Sequence, residues 1–320
     1  MFSHRGMVPR PSFPSFLAGM GRKVGPLPGA PRPAPKLKSP REIALMREAG
    51  RVVAKALDRV RELAVPGATT ADMEDAVAAV FREHDALPLF LGYPSTDKGK
   101  PPFPAVICAS VNHHVVHGIP NRRPLKAGDI VSIDTGCKIG SWCGDSAVTL
   151  AIGEISPDVQ KLLDVTSESL NLAIRAMARC RYWSEVASLM ERYVKSQGFY
   201  VIEKFVGHGI GQDMHEEPQV PNFVSKPLLK NDIRLEPGLV LAIEPMVAMG
   251  TKEVRTLDDG WTVETKDRRP SAHFEHTVAM TLDGPRVLTY LEDEAVTPAT
   301  SPSQAPGPEL PPTLDRDKQP

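Results

Sequence analysis

Cysteine is scarce in this 320-residue chain. The four cysteines, Cys108, Cys137, Cys143 and Cys180, are too few and too scattered for a disulfide scaffold. No C-x-x-C occurs, so nothing suggests a structural zinc finger. There is no run of about 18 apolar residues, which argues against a membrane-spanning helix. Phe16–Met20 is too short for the apolar region of a secretory signal. An excess of one charge is missing as well: the net charge is −1, with 41% hydrophobic and 24% charged residues. That composition is globular, and the length allows one large or two ordinary domains.

Proline, in contrast, is abundant. Of the 32 prolines, 9 fall in residues 1–40 and 7 in residues 291–320. The chain therefore divides into a basic, proline-rich tail (1–38), a globular core (39–291) and an acidic, proline-rich tail (292–320). Residues 1–40 carry seven Lys/Arg and no acid, and residues 291–320 carry six acids and two bases. Neither tail has an apolar repeat able to bury surface, so both read as disordered. The basic one reads as a solvated linker or as a surface for nucleic acid such as ribosomal RNA. It also has the Arg-rich, acid-free composition of a transit peptide, but its prolines oppose the amphipathic helix such peptides form.

In the core, Ser39-Pro40 opens a helix, with Ser39 as N-cap and Pro40 in the first turn. Ile43, Met46, Ala49, Val53 and Leu57 recur at helical spacing until Pro66-Gly67. Thr70 is the expected cap of a second helix. Strands are expected over 105–111, 130–138, 141–152, 199–206, 239–247, 261–265, 272–282 and 286–288. Helices are expected over 157–177 and 184–196. This order, a helix pair and then a strand set, twice over, implies an α+β domain of two similar halves.

Five residues stand out chemically. In Ile130-Val131-Ser132-Ile133-Asp134, alternation puts Ser132 and Asp134 on one face. A two-residue turn at Ile139-Gly140 would set Asp134 directly opposite Asp145, a repulsive arrangement unless a cation or a proton intervenes. Glu244 and Glu275 sit in apolar strand contexts that are poor places for a lone charge. His208 lies between glycines in Gly207-His208-Gly209, which lets the backbone crowd a site. Four carboxylates match the charge of two divalent cations. Oxygen-rich ligation with one imidazole suits Mn²⁺, Fe²⁺, Co²⁺ or Zn²⁺.

These residues sit in a series of motifs: Val115-Val116-His117-Gly118-Ile119-Pro120, Ile133-Asp134 with Gly144-Asp145, Gly207-His208-Gly209-Ile210-Gly211, His215-Glu216-Glu217-Pro218, Ile243-Glu244-Pro245-Met246, Asp259-Gly260-Trp261-Thr262 and Phe274-Glu275-His276-Thr277. In order and spacing the series resembles the type I methionine aminopeptidases over about residues 39–290. The resemblance implies the pita-bread fold and two divalent metal ions. Asp134, Asp145, His208, Glu244 and Glu275 would be their ligands, with Asp145 and Glu275 bridging. It implies Glu244 as general base, His215 beside the developing oxyanion and His117 at the leaving-group nitrogen or the peptide backbone. Tyr93, Phe103, Cys108, Met214 and Trp261 would enclose a methionine side chain. Cys108 reads as apolar wall, since no neighbour would form a thiolate. The implied substrates are nascent polypeptide N-termini with a small second residue, and the implied enzyme is a cytoplasmic monomer with no membrane association.

The chain departs from the family pattern in four places. Pro94–Pro102 is an insertion at the pocket rim. His113-His114 stands where an acidic or polar pair is common, Met214 where an aromatic residue is common, and His273 where glutamine is common. His273 shares a face with Glu275 and His276 does not. A prolidase or Xaa-Pro aminopeptidase has the same ligands but carries a large N-terminal domain, which forty proline-rich residues would not supply. A type II enzyme needs a long insertion that the 36 positions between His208 and Glu244 leave no room for. A non-catalytic, ribosome-associated relative would be expected to lack some of the five ligands.

Overall fold

A computed structural model describes residues 34–95 and 99–292. The two tails expected from the sequence fall largely outside them. Helix α1 (Pro40–Leu63) begins as its sequence dictates, with Ser39 and Glu42 forming a reciprocal capping box. Helix α2 (Thr70–Glu83) is capped one residue earlier than expected. Thr69 bonds Asp72, while Thr70 turns inward and donates to the carbonyl of Asn121. Strands β1 (Leu87–Pro88), β2 (Cys108–Val111), β3 (His114–Val116), β4 (Ile130–Ile139) and β5 (Trp142–Ala151) complete the first half.

The second half repeats the pattern. Helices α3 (Pro157–Met177) and α4 (Trp183–Ser196) lead to β6 (Tyr200–Val201), β7 (Gly207–Gly209), β8 (Glu216–Val220) and the short α5 (Lys226–Lys230). Then follow β9 (Val240–Ile243), β10 (Met246–Ala248), β11 (Val254–Thr256), β12 (Val263–Thr265), β13 (Ser271–His273), β14 (Glu275–Thr281) and β15 (Gly284–Val287).

A curled antiparallel sheet runs β1-β4-β5-β14-β9-β7-β8, with β2 on β4 and β15 on β14. One face is covered by helices. Met73, Val77 and Phe81 of α2 and Val53, Leu57 and Val60 of α1 pack on Val131 and Ile133 of β4. Trp183, Val186 and Met190 of α4 and Leu170 and Ile174 of α3 pack on Leu241 and Val278. The fit is tight where α1 meets β5: a Cβ on Gly144 would come within 2.7 Å of the Gly50 backbone nitrogen. Buried Arg47 of α1 donates to the carbonyls of Leu288, Tyr290 and Glu292 and ties down the end of the described chain. This is the two-halved α+β pita-bread architecture.

Two strand expectations need correction. Three of the expected long strands are broken. Residues 239–247 split at Glu244-Pro245, 272–282 at Phe274, and 199–206 shrinks to Tyr200–Val201 before the separate β7. Proline cannot donate to a ladder, which accounts for the first break. The hairpin register is also different. The loop is Gly140-Ser141, with Gly140 in the left-handed region, so Asp134 faces Ala147 and Asp145 faces Gly136. Asp134 and Asp145 still share a face, but as diagonal neighbours two residues apart in register rather than direct opposites.

Candidate metal centre and apolar cluster

The concave face of the curled sheet gathers the acidic residues. Asp145 projects from β5, Glu275 from the start of β14 beside it, Asp134 from β4, and Glu244 from the break after β9. His208 comes from β7, which is wedged between β8 and β9. A Cβ on Gly207 would lie 2.3 Å from the Ala242 carbonyl oxygen, and one on Gly209 2.3 Å from that of Glu217. Only glycine on both sides lets this strand bring its imidazole in.

The frame around these side chains is held by hydroxyls. Thr277 Oγ1 accepts from the Asp145 amide at 3.1 Å and donates to the Asp145 carbonyl at 2.8 Å. Thr149 Oγ1 does the same for the amide and carbonyl of His273. Buried Asn222 donates to the Glu244 carbonyl at 3.0 Å, steadying the strand break. Sequence reading places Thr277 in a motif but assigns none of these three this task, because it depends on cross-strand register. Alternation in β5 and β14 marks Thr149 and Thr277 as facing inward, but Asn222 sits in a loop with no such signal.

Asp145, His208 and Glu275 each direct one ligand-type atom into a group whose members lie within 4.8 Å of one another. His208 Nε2 is 3.8 Å from Glu244 Oε1, and His273 Nε2 is 3.8 Å from Glu244 Oε2 and 4.0 Å from Glu275 Oε2. Nδ1 of His208 lies 2.9 Å from the Gly209 carbonyl, which fixes it as the donor and leaves the Nε2 lone pair facing the carboxylates.

Burial pushes all four carboxyls above their ordinary range. Asp145 rises to about 7, and its charge raises Asp134, Glu244 and Glu275 further, with Glu244 adding to the rise of Asp134 and Glu275. Burial lowers His208 to about 4 and His273 to about 3. Among the described residues, Asp134 Oδ1, Asp145 Oδ1 and His273 Nε2 are buried without a hydrogen-bond partner. Buried polar atoms are rarely left so. Acceptors that converge, repel and lack donors fit divalent cations.

Beside the centre lies an apolar cluster. Phe90, Phe103, Ala105, Cys108 and Met214 pack together, with Tyr93, Ile119 and Trp261 against them. Cys108 pairs with Asp134 across β2 and β4, so this wall abuts the acidic centre. Burial pushes its thiol far up, consistent with an inert wall. Asp259 accepts from the amides of Trp261 and Thr262 and from the Thr262 hydroxyl, and the turn so formed places the indole. The indole Nε1 donates to the Pro101 carbonyl, and Phe103 and Tyr93 bond through their backbones, so the inserted rim closes on itself at its base.

His215 is exposed at the mouth, 4.3 Å from the His208 ring, with Nδ1 2.8 Å from the Tyr93 hydroxyl. Tyr93 had been assigned to the apolar wall alone; the structure gives it a second, polar contact. The next residue, Glu216, holds buried Lys38 at 2.9 Å, anchoring this loop to the start of α1. His117, in the left-handed region with φ 59°, sits edge-on to Phe205 and Trp261, and burial lowers it to about 4. His276 points away from the centre, to Thr289 and Ser146.

Residues 44–282 match the Peptidase M24 family, metallopeptidase family M24. This chain belongs to that family. Within it, methionine aminopeptidase 1 of Bacillus subtilis is 44% identical over 252 residues, which cover 79% of this chain and 98% of that protein. The methionine aminopeptidase of Escherichia coli is 36% identical over 262 residues, 81% and 96% of the two chains. A crystal structure of methionine aminopeptidase from Thermotoga maritima matches with a TM-score of 0.75 and 39% identity, over 80% of this chain and 99% of that one. Prolidase from Pyrococcus furiosus matches at 0.59 and 19% identity over 66% of its length, which shows the shared M24 fold alone. The M24 assignment makes the protein a metallopeptidase, and it agrees with the donor set described above.

Proposed function

We propose that this chain removes the N-terminal methionine from nascent polypeptides and peptides whose second residue is small. The reading rests on the juxtaposition of the acidic centre and the apolar cluster across the Cys108–Asp134 pair. A chain end whose α-amine is drawn to the carboxylates then has its first side chain against that cluster, which suits an unbranched thioether.

Asp134, Asp145, His208, Glu244 and Glu275 would hold two divalent ions, of Mn, Fe, Co or Zn, with Asp145 and Glu275 shared. When bound, such ions polarise the scissile carbonyl and make water nucleophilic near neutral pH. Glu244 is the better placed proton carrier, because it is less buried than Asp145 and Glu275. It takes a proton from the attacking water and returns it to the departing amine. His215 steadies negative charge on the carbonyl oxygen, and the Tyr93 hydroxyl fixes its orientation. His117 bonds the peptide on the other side of the scissile bond.

No helix among the described residues is long and apolar enough to cross a membrane. We place the enzyme in the cytoplasm as a monomer, with its basic tail available to ribosomal RNA. Metal-stripped protein, resupplied with Mn²⁺, Fe²⁺, Co²⁺ or Zn²⁺ in turn, is to be offered Met-Ala-Ser and Ala-Pro-Ala. The expected result is metal-dependent release of methionine and none of alanine. Release of alanine alone would move the assignment to the Xaa-Pro specificity. Metal binding without turnover of either peptide would overturn the enzymatic reading.

A further inference from the structure

A second cluster of metal-ligating side chains lies away from the acidic centre. His113, His114 and Glu264 each offer one ligand atom, and these atoms lie within 4.8 Å of one another. His114 is on β3 and Glu264 directly opposite it on β12, so one ligand comes from each strand of a ladder. His113 Nε2 is 3.1 Å from Glu264 Oε2, and the two imidazoles meet edge to face at 4.9 Å.

The backbone beneath is fixed. The Thr265 amide donates to the His113 carbonyl at 3.0 Å, and the Ser271 hydroxyl to the His114 carbonyl at 3.2 Å. Arg255 binds Glu264 through Oε1 only, with Nε at 2.8 Å and Nη2 at 2.5 Å, which leaves Oε2 toward the imidazoles. Glu264 is buried and both histidines are half-buried, so the cluster has a firm base and an open side for water. Burial and the neighbouring His113 lower His114, which keeps its lone pair free of a proton at neutral pH. Asp259 adds negative charge nearby, and Arg268 opposes it.

We propose that His113, His114 and Glu264 form a separate site for a single divalent transition ion of the zinc type. Two imidazoles, one carboxylate and a water make a four-coordinate set suited to Zn²⁺ and poorly suited to Mg²⁺ or Ca²⁺. An ion there ties β3 to β12. The chain continuing from β3 carries His117, and the chain entering β12 carries Trp261, so the tie braces two walls of the substrate mouth.

The test compares Zn²⁺ binding by the metal-stripped full chain with that of a His113→Asn/His114→Asn double variant and of Glu264→Gln, by equilibrium dialysis with elemental analysis. Wild type is expected to bind one more Zn²⁺ per chain than the double variant, and Glu264→Gln to weaken that extra ion at least tenfold. Crystals soaked in Zn²⁺ should show an anomalous peak bonded to both imidazoles. Unaltered melting and unaltered Mn²⁺-dependent turnover of Met-Ala-Ser in the double variant would show that its fold and its acidic centre are intact. Equal stoichiometry in all three proteins, or an ion seen there only at millimolar Zn²⁺, would overturn the proposal. Neither result bears on the acidic centre, whose ligands are the same in every variant.

Discussion

Asp145 and Ser146 are neighbours in β5, and Glu275 and His276 are neighbours in β14, yet each pair straddles the sheet. On the helix-covered side Ser146 and His276 both have partners. Ser146 Oγ donates to the Glu275 carbonyl at 2.6 Å, and His276 Nδ1 meets Thr289 Oγ1 at 2.8 Å while its ring packs edge-on to Tyr290. On the concave side, Asp145 and Glu275 lie 3% and 2% exposed among other carboxylates, with Asp145 Oδ1 lacking a donor among the described residues. Both faces bury polar groups. Of these four residues, the two acids on the concave side stand in an arrangement that costs free energy without a ligand. That contrast separates a structural histidine from a site more reliably than burial does.

Exchanging residues across this divide gives the sharpest tests. Glu275→Gln should lower kcat on Met-Ala-Ser on the order of a thousandfold, since it removes a shared ligand from the electrostatic centre. The same variant should leave the melting temperature of the metal-free protein unchanged or higher, because it replaces a buried acid by a neutral isostere. Gly144→Ala, on the helix side, should cost about 3 kcal/mol in urea unfolding, since its Cβ would meet the backbone of Gly50 and Ala49 in α1. His276→Ala should cost about 2 kcal/mol by the loss of its hydrogen bonds and packing, with kcat of the folded fraction near wild type.

The smallest effect is a pH slope in the metal-free protein. Below about pH 6.5 two sets of groups oppose each other. His117, His208, His273 and His276, lowered to about 3–4 in the folded state, make stability rise with pH. The raised carboxyls make it fall. As pH rises above 6.5 the unfolded histidines lose their remaining protons and the first set fades, whereas the folded carboxyls still hold protons that the unfolded chain has lost. Stability should then fall as pH rises through about 7, where Asp145 titrates, by about 1.4 kcal/mol per pH unit for each proton held. Melting curves from pH 6.5 to 8.5 should show the decline, and saturating Mn²⁺ should abolish it.

Much of this was legible before any coordinates. The first helix announces itself through Ser39-Pro40, where side-chain and backbone chemistry are local. Motif order identified the family, and the face shared by Asp134 and Asp145 followed from alternation. The hairpin register did not follow, because either Ile139-Gly140 or Gly140-Ser141 closes a two-residue loop and only packing between the strands decides. The breaks at Glu244-Pro245 and Phe274 were hidden inside apolar runs. The bonds from Tyr93 to His215 and from Asn222 to Glu244 join residues 122 and 22 positions apart, and no local pattern encodes them.

The central claim is that the unsatisfied carboxylates of the concave face hold the ions on which peptide hydrolysis depends. Its most direct test measures Mn²⁺ bound per chain together with methionine released from Met-Ala-Ser, for wild type and for Asp145→Asn. The account predicts up to two ions and metal-dependent release in wild type, and loss of both in a variant that still folds. A folded Asp145→Asn protein that kept its ions and its turnover would contradict it.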